Sequence, residues 1–271
     1  MRSRRILQLG FLASISLLWA GCSTEPITGR RQLSFVGAGQ ELQLGVAEFD
    51  KMKQSTPINR DPKINEMVSR VGNRIAAAAK DDLPDAQWEF VVFDSKEANA
   101  FCLPGGKVGV YTGILPVTLN EAGLATVLGH EVAHASAHHG AERMSQALAA
   151  QTGGQLLGVA LSASDPRIQS LAALAYPTAA QVGVLLPYGR KQESSADRIG
   201  LSYMARAGYD PEEAVKFWQR FSEYNKSRGG GSTPSFLSTH PLDDVRIKQI
   251  QSALPEVKSE YQTGVISSPA R

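Results

Sequence analysis

Apolar side chains recur along this chain in steps that separate helices from strands. After Asp61-Pro62 they fall at Ile64, Met67, Val68, Val71 and Ile75, the three-and-four spacing of one helix face. Asp61 supplies an N-cap, and Pro62 suits the first helical position. Upstream, Leu42, Leu44, Val46 and Phe49 among interspersed acids predict a helix over 40–53. The run WEFVVFD, 88–94, predicts a strand. NAFCLPGGKVGVYTGIL predicts a second strand, a Pro-Gly-Gly turn at 104–106 and a third strand over 107–112. A long helix follows over 121 to about 151.

Residues 152–187 are rich in Gly, Ala and Leu but broken by Asp165-Pro166, Pro177 and Pro187. That pattern reads as a mobile helical hairpin or as core, and as too interrupted for a membrane span. A helix over 190–206 is expected next, then a helix start at Asp210-Pro211-Glu212-Glu213 with an acid at N3. KSRGGGSTPS, 226–235, is a loop. THPLDDVRIKQIQSAL opens a last helix, with a frayed end from Lys258. Helices dominate and the strands fall in one stretch. The expected fold class is therefore α+β, a helical body with one small sheet beside the histidine helix.

The first residues change the charge reading. MRSRRILQLGFLASISLLWAGC has Arg2, Arg4 and Arg5, an apolar stretch too short for a comfortable membrane span, and Ala20-Gly21 before Cys22. This resembles a bacterial lipoprotein signal, with cleavage before Cys22 and lipid on its thiol. A plain cleaved signal or an uncleaved anchor are the alternatives. Trp19 departs from the usual aliphatic residue. Residues 1–21 are read as the signal, 22–37 as a tether or wrapping arm, 38–257 as the domain that holds the histidines and 258–271 as a flexible tail. Removing three arginines and no acids takes the formal net charge from +2 to −1, so no basic excess points to nucleic acid. With Cys22 lipidated, Cys102 has no disulfide partner and reads as a small buried residue.

The chemistry gathers in LGHEVAHASAHHG, 128–140, which holds four of the five histidines. On a helix, His130 and His134 lie one above the other, and both imidazoles reach one ion. Glu131 lies about 100° round from His130, beside the ion rather than under it. This is the HExxH arrangement: two nitrogen ligands and a carboxylate that handles the protons of the attacking water. His138 is too far along the rod to share the ion and His139 turns away, so both read as residues that support the ligands from behind or as structural ones. Ala137 and Gly140 exclude the metzincin continuation. The third ligand must come from another helix. In GRKQESSADRIGLSYMARAG, the stripe Ala196, Ile199, Gly200, Tyr203 and Met204 extends back to Glu193, and Asp197 shares that side. A carboxylate on a buried stripe needs a partner or a metal, although an ordinary acid at an exposed helix start has the same spacing.

HEVAH followed by ESSAD resembles the HtpX/BepA-type gluzincin zinc peptidases, the family that includes the CAAX prenyl endopeptidases. PITGRRQLSFV, NAFCLPGGKVGVYTGIL, GYDP and STHP extend the resemblance across nearly the whole chain. The lipobox places it with the LoiP-like lipoprotein branch, similar also to the catalytic domain of the mitochondrial Oma peptidase. The resemblance implies one Zn2+ per chain held by His130, His134 and Glu193, with Glu131 as catalytic acid/base. It implies Asp197 as a second acid, a proton donor in some members, while its helical position also suits support of His130 or His134 from behind. It implies His240 as a histidine near the site, one that stabilises the transition state or occupies the open zinc position. His240 could also merely cap the last helix, and Arg246 and Tyr188 are weaker oxyanion donors. The doubled His138-His139 is expected to stay clear of the chemistry. The strand over 107–112 is expected beside the cleft, with Lys107, Val108, Gly109, Val110 and Tyr111 binding substrate backbone as an added strand. The expected function is an endopeptidase on the periplasmic face of a bacterial envelope, acting on unfolded or misassembled polypeptides. A non-catalytic zinc-containing chaperone is the main alternative, and a small-peptide exopeptidase a second.

Overall fold

A helix buried on every side forms the centre of the fold. The computed structural model of the chain describes residues 22–227, 234–242 and 244–267. The signal expected over 1–21 and most of the Gly-rich loop lie outside the described residues. Helices α1 (Ala38–Ser55) and α2 (Pro62–Ala78) come first. Asp61 caps α2 by accepting from the amides of Lys63 and Ile64, and α2 buries Val68, Val71 and Ile75.

Strands β3 (Glu89–Phe93), β4 (Ala100–Leu103) and β5 (Lys107–Tyr111) form one sheet in the order β3-β5-β4. Strand β5 pairs parallel with β3 and antiparallel with β4. The β4–β5 turn uses positive φ at Gly105 and Gly106. Gly109 lies under the Phe101 ring, where a Cβ would collide. The sequence expectation for 107–112 needs correction here. Both edges of β5 are paired, so Lys107, Val108, Gly109, Val110 and Tyr111 cannot accept an added strand. The outer edge of β3 is engaged near Ile58. Among the described residues no strand pairs with the outer edge of β4.

After a short helix α3 (Leu115–Thr118), the histidine helix α4 runs Glu121–Ser136, capped by Asn120 on the Gly123 amide. Every residue of α4 from Gly123 to Ser136 is buried. The single long helix expected over 121–151 is two. His138 takes a left-handed φ of 53°, and α5 starts afresh at His139–Ala160. Helix α6 (Pro166–Ala180) returns beside α5. A π-turn at Gln181–Leu185 leads straight into α7 (Leu186–Arg206).

Residues 152–187 are therefore an exposed helical hairpin rather than core, with Leu156, Leu171 and Leu174 in solvent. Pro177 lies inside α6 and Pro187 in the first turn of α7, and neither interrupts the helical run. An apolar stretch within Pro166–Arg206 has the length and composition of a membrane-crossing helix.

Helix α7 crosses α4 where two glycines meet. A Cβ on Gly200 would stand 2.9 Å from the carbonyl carbon of Gly129. Helices α8 (Glu212–Ser227), α9 (Ser235–Thr239) and α10 (Asp244–Ser267) close the body. The end expected to fray from Lys258 is instead helical to Ser267, and Glu260 accepts from Arg206 at 2.6 Å and Ser202 at 2.5 Å. The arm is also ordered. Strands β1 (Cys22–Thr24) and β2 (Arg31–Leu33) form an antiparallel hairpin.

Candidate metal centre and active site

Three elements converge on one buried point. Helix α4 places His130 and His134 one turn apart, with their Nε2 atoms 3.1 Å from each other. Helix α7 brings Glu193, whose Oε2 lies 3.3 Å from His130 Nε2 and whose Oε1 lies 3.4 Å from His134 Nε2. The Gly129–Gly200 crossing makes this approach possible. The residue after α9 adds His240, with Nδ1 3.2 Å from His130 Nε2 and 3.1 Å from Glu193 Oε2. Ligand atoms from all four lie within 4.8 Å of one another. His240 points into the cluster from the end of α9, four residues before α10 begins, and does not cap that helix.

Asp197 stands one turn along α7 from Glu193 but behind His130 rather than in the cluster. Its Oδ1 lies 3.0 Å from His130 Nδ1. Arg246 of α10 grips both of its oxygens at 2.7 and 2.8 Å. That guanidinium is buried over the Trp218 ring and also lies 3.1 Å from Glu193 Oε2. Burial alone would raise Asp197, but Arg246 and His130 outweigh it and hold the carboxyl below its ordinary value. Glu193 is likewise held well below the carboxylate range by three histidines, against burial. Tyr188 lies on the surface beside Lys191.

The tautomers follow from these partners. Asp197 takes the proton of His130 Nδ1, and Nδ1 of His134 faces a ring nitrogen of His139 at 2.7 Å. Both Nε2 lone pairs then turn toward each other and toward the Glu193 carboxylate. Such a buried convergence repels itself unless a cation sits in it. Without a metal a proton serves. Burial opposes charge on His130, yet Asp197 and Glu193 push it up to about 9. Burial holds His134 well below the ordinary histidine value and also lowers His139. The donor set therefore fits a metal ion at His130, His134 and Glu193, with His240 at the remaining position.

Glu131 completes the constellation. It is buried, its Oε1 has no hydrogen bond, and His240 Nε2 stands 3.3 Å away outside bonding geometry. Burial raises its carboxyl above the ordinary value. Cys102 is buried with its thiol pushed up by burial, far from nucleophilic use. The side chain of Cys22 lies outside the described residues.

The whole chain gives the same answer. Residues 62–254 match the profile of Peptidase family M48. The chain belongs to this family. It is similar to the mitochondrial metalloendopeptidase OMA1 of Saccharomyces cerevisiae, 33% identical over 94% of this chain and 77% of that protein. It is also similar to the beta-barrel assembly-enhancing protease of Yersinia pestis, 30% identical over 81% of this chain and 45% of that protein. The Escherichia coli protein of the same name is 27% identical over 87% of this chain and 48% of its own length. The chain thus spans about half of these two bacterial relatives. As an M48 member with a buried His/Glu cluster and a free acid beside it, this chain is a metalloendopeptidase.

Sequence reasoning placed His130, His134, Glu131 and Glu193, and these are together here. It read His139 as a supporting or structural residue but gave it no partner, because five residues past His134 on one continuous helix would point elsewhere. The break at His138 turns His139 back onto His134. Its neighbour His138 instead pairs with Glu41 at 2.7 Å.

Proposed function

We propose that this chain is a zinc endopeptidase of a bacterial envelope that hydrolyses peptide bonds in unfolded or misassembled proteins. The observation that carries this reading is Glu131, a buried acid with an unbonded oxygen beside a cluster of metal-ready nitrogens. Zinc at His130, His134 and Glu193 would supply Lewis acidity toward the attacking water and the scissile carbonyl. Glu131 takes the proton from that water and returns it to the leaving amine. His240 stands where it either closes the site or, swung aside, donates to the oxyanion. The outer edge of β4, beside α4, is the place for an extended substrate segment. Such binding selects unfolded chain, because folded segments have their backbone groups already paired.

The envelope location rests on the arginines and lipobox-like end of 1–22 and on the relatives named for β-barrel assembly. Lipid on Cys22 is the anchor this reading assigns. The exposed, charge-poor hairpin of α5 and α6 suits a protein held at a membrane surface. Mitochondrial relatives are equally similar, so the chemistry is shared more widely than the compartment. A purely structural zinc site is disfavoured by the absence of cysteine ligands and by Glu131.

The test is metal content and turnover in four variants. About one zinc per chain is expected in wild type. His130→Ala, His134→Ala and Glu193→Ala should each lose it. Glu131→Gln should keep zinc and lose cleavage of an unfolded substrate. Retention of zinc by Glu193→Ala would sink the third-ligand assignment.

A further inference from the structure

The arm and the second of the paired histidines form one buried chain of hydrogen bonds that ends on His134. Glu25, in the turn after β1, is buried, and its Oε1 lies 2.7 Å from His139 Nε2. A carboxylate only accepts, so His139 Nε2 carries the proton and its Nδ1 keeps a lone pair. That lone pair faces His134 Nδ1 at 2.7 Å. The proton between them belongs to His134, and His134 Nε2 is left bare toward the cluster.

Glu25 is itself fixed. Arg30 Nε donates to it at 2.8 Å, the Thr28 hydroxyl donates at 2.6 Å, and Ser195 of α7 donates through its hydroxyl. Arg30 also spans to Glu142 at 2.9 and 2.6 Å. Glu142 accepts from Gln192, the neighbour of Glu193, at 2.6 Å. The arm therefore braces both ligand-bearing helices, α4 through His139 and α7 through Gln192 and Ser195. Glu25, His139 and Glu142 lie close enough to suggest a second cation site. The guanidinium of Arg30 already supplies that positive charge, so the group is a brace and not a metal site.

We propose that the N-terminal arm is a positioning element of the metal centre, its Glu25 setting, through His139, the tautomer and orientation of the His134 ring. The inference rests on the reading of His134 as a zinc ligand. It gives the PITGRRQLSFV segment a task that packing alone does not require. Outer partners of this kind hold a metal-binding histidine in one rotamer and raise its basicity.

The experiment compares zinc release from the loaded, full-length protein to a chromophoric chelator. Glu25→Ala should release zinc about tenfold to hundredfold faster than wild type. His139→Asn should match it, and serves if Glu25→Ala folds poorly. Glu25→Gln should stay close to wild type. Its amide oxygen can take the Oε1 position while its NH2 faces the Thr28 and Ser195 hydroxyls, which accept. Gln32→Ala is the control for mere docking. It removes the 2.5 Å bond from the arm to the Ala137 carbonyl and the 3.3 Å bond it accepts from Arg30, but leaves the Glu25–His139–His134 bonds in place, so its release should be like wild type even if its melting temperature falls. Cobalt-loaded protein should show an altered visible spectrum in Glu25→Ala and an unaltered one in Gln32→Ala. Wild-type release from both Glu25→Ala and His139→Asn would overturn the proposal, as would Gln32→Ala releasing zinc as fast as Glu25→Ala. A wild-type protein that takes up no zinc would overturn the metal reading as well, which keeps the two failures apart.

Discussion

In the proposed reading, His240 occupies the position that a substrate or water would need. Its ring packs on Phe236, with centroids 4.6 Å apart, while Nδ1 lies within 3.3 Å of both Glu193 oxygens. This geometry is that of a closed site. His240→Ala is expected to raise basal cleavage of an unfolded substrate several-fold with zinc retained. A tenfold or greater fall in kcat, again with zinc retained, would assign the residue to the oxyanion instead. At this scale the sequence was readable wherever one helix carried the pattern. His130, Glu131 and His134 share a turn, and Glu193 extends an apolar stripe. Arg246 was readable only as a weak oxyanion donor, because its partner Asp197 is 49 residues away and no local pattern marks an arginine that will be buried on a tryptophan.

Between elements, the decisive contact is the crossing of α4 and α7 at Gly129 and Gly200. Gly200→Ala should push the helices apart. Overpacking of this kind costs about 1–3 kcal/mol, which urea denaturation would read as a lower midpoint. The same displacement should draw Glu193 from His130 and His134 and reduce bound zinc. A variant that kept both stability and zinc would show that the crossing has slack. Helix starts were legible from their caps at Asp61 and Asp210, whose side chains accept from backbone amides at the helix start. The order of the strands was not. Which of two adjacent strands lies in the middle depends on β3, which joins β5 from outside the hairpin, and alternation along a strand carries no trace of that. The break at His138 was equally silent, since neither Gly nor Pro occupies the left-handed position.

Across the molecule, the arm ties the beginning of the domain to its middle. Burial raises the Glu25 carboxyl, but His139, Arg30, Ser195 and Thr28 outweigh it and hold it at about 2 against an ordinary 4.5. A depressed folded value means stability that is complete above about 4.5 and lost as the pH falls from there toward 2. In metal-free protein, the melting-temperature advantage of wild type over Glu25→Gln should therefore shrink across that interval. A constant difference would mean that Glu25 is not ionised in the folded arm. The arm also has a history in time. Its partners Ala137, His139, Glu142 and Ser195 are all made long after it, and its bond to Ser195 closes a separation of 170 residues. Closing so long a loop is a late event in folding. A chain whose synthesis has not reached Glu193 thus carries the paired histidines without their third partner and without the bond from the arm to Ser195. In the proposed reading, synthesis order keeps the nascent peptidase inert until the oldest segment has found its partners in the middle of the chain.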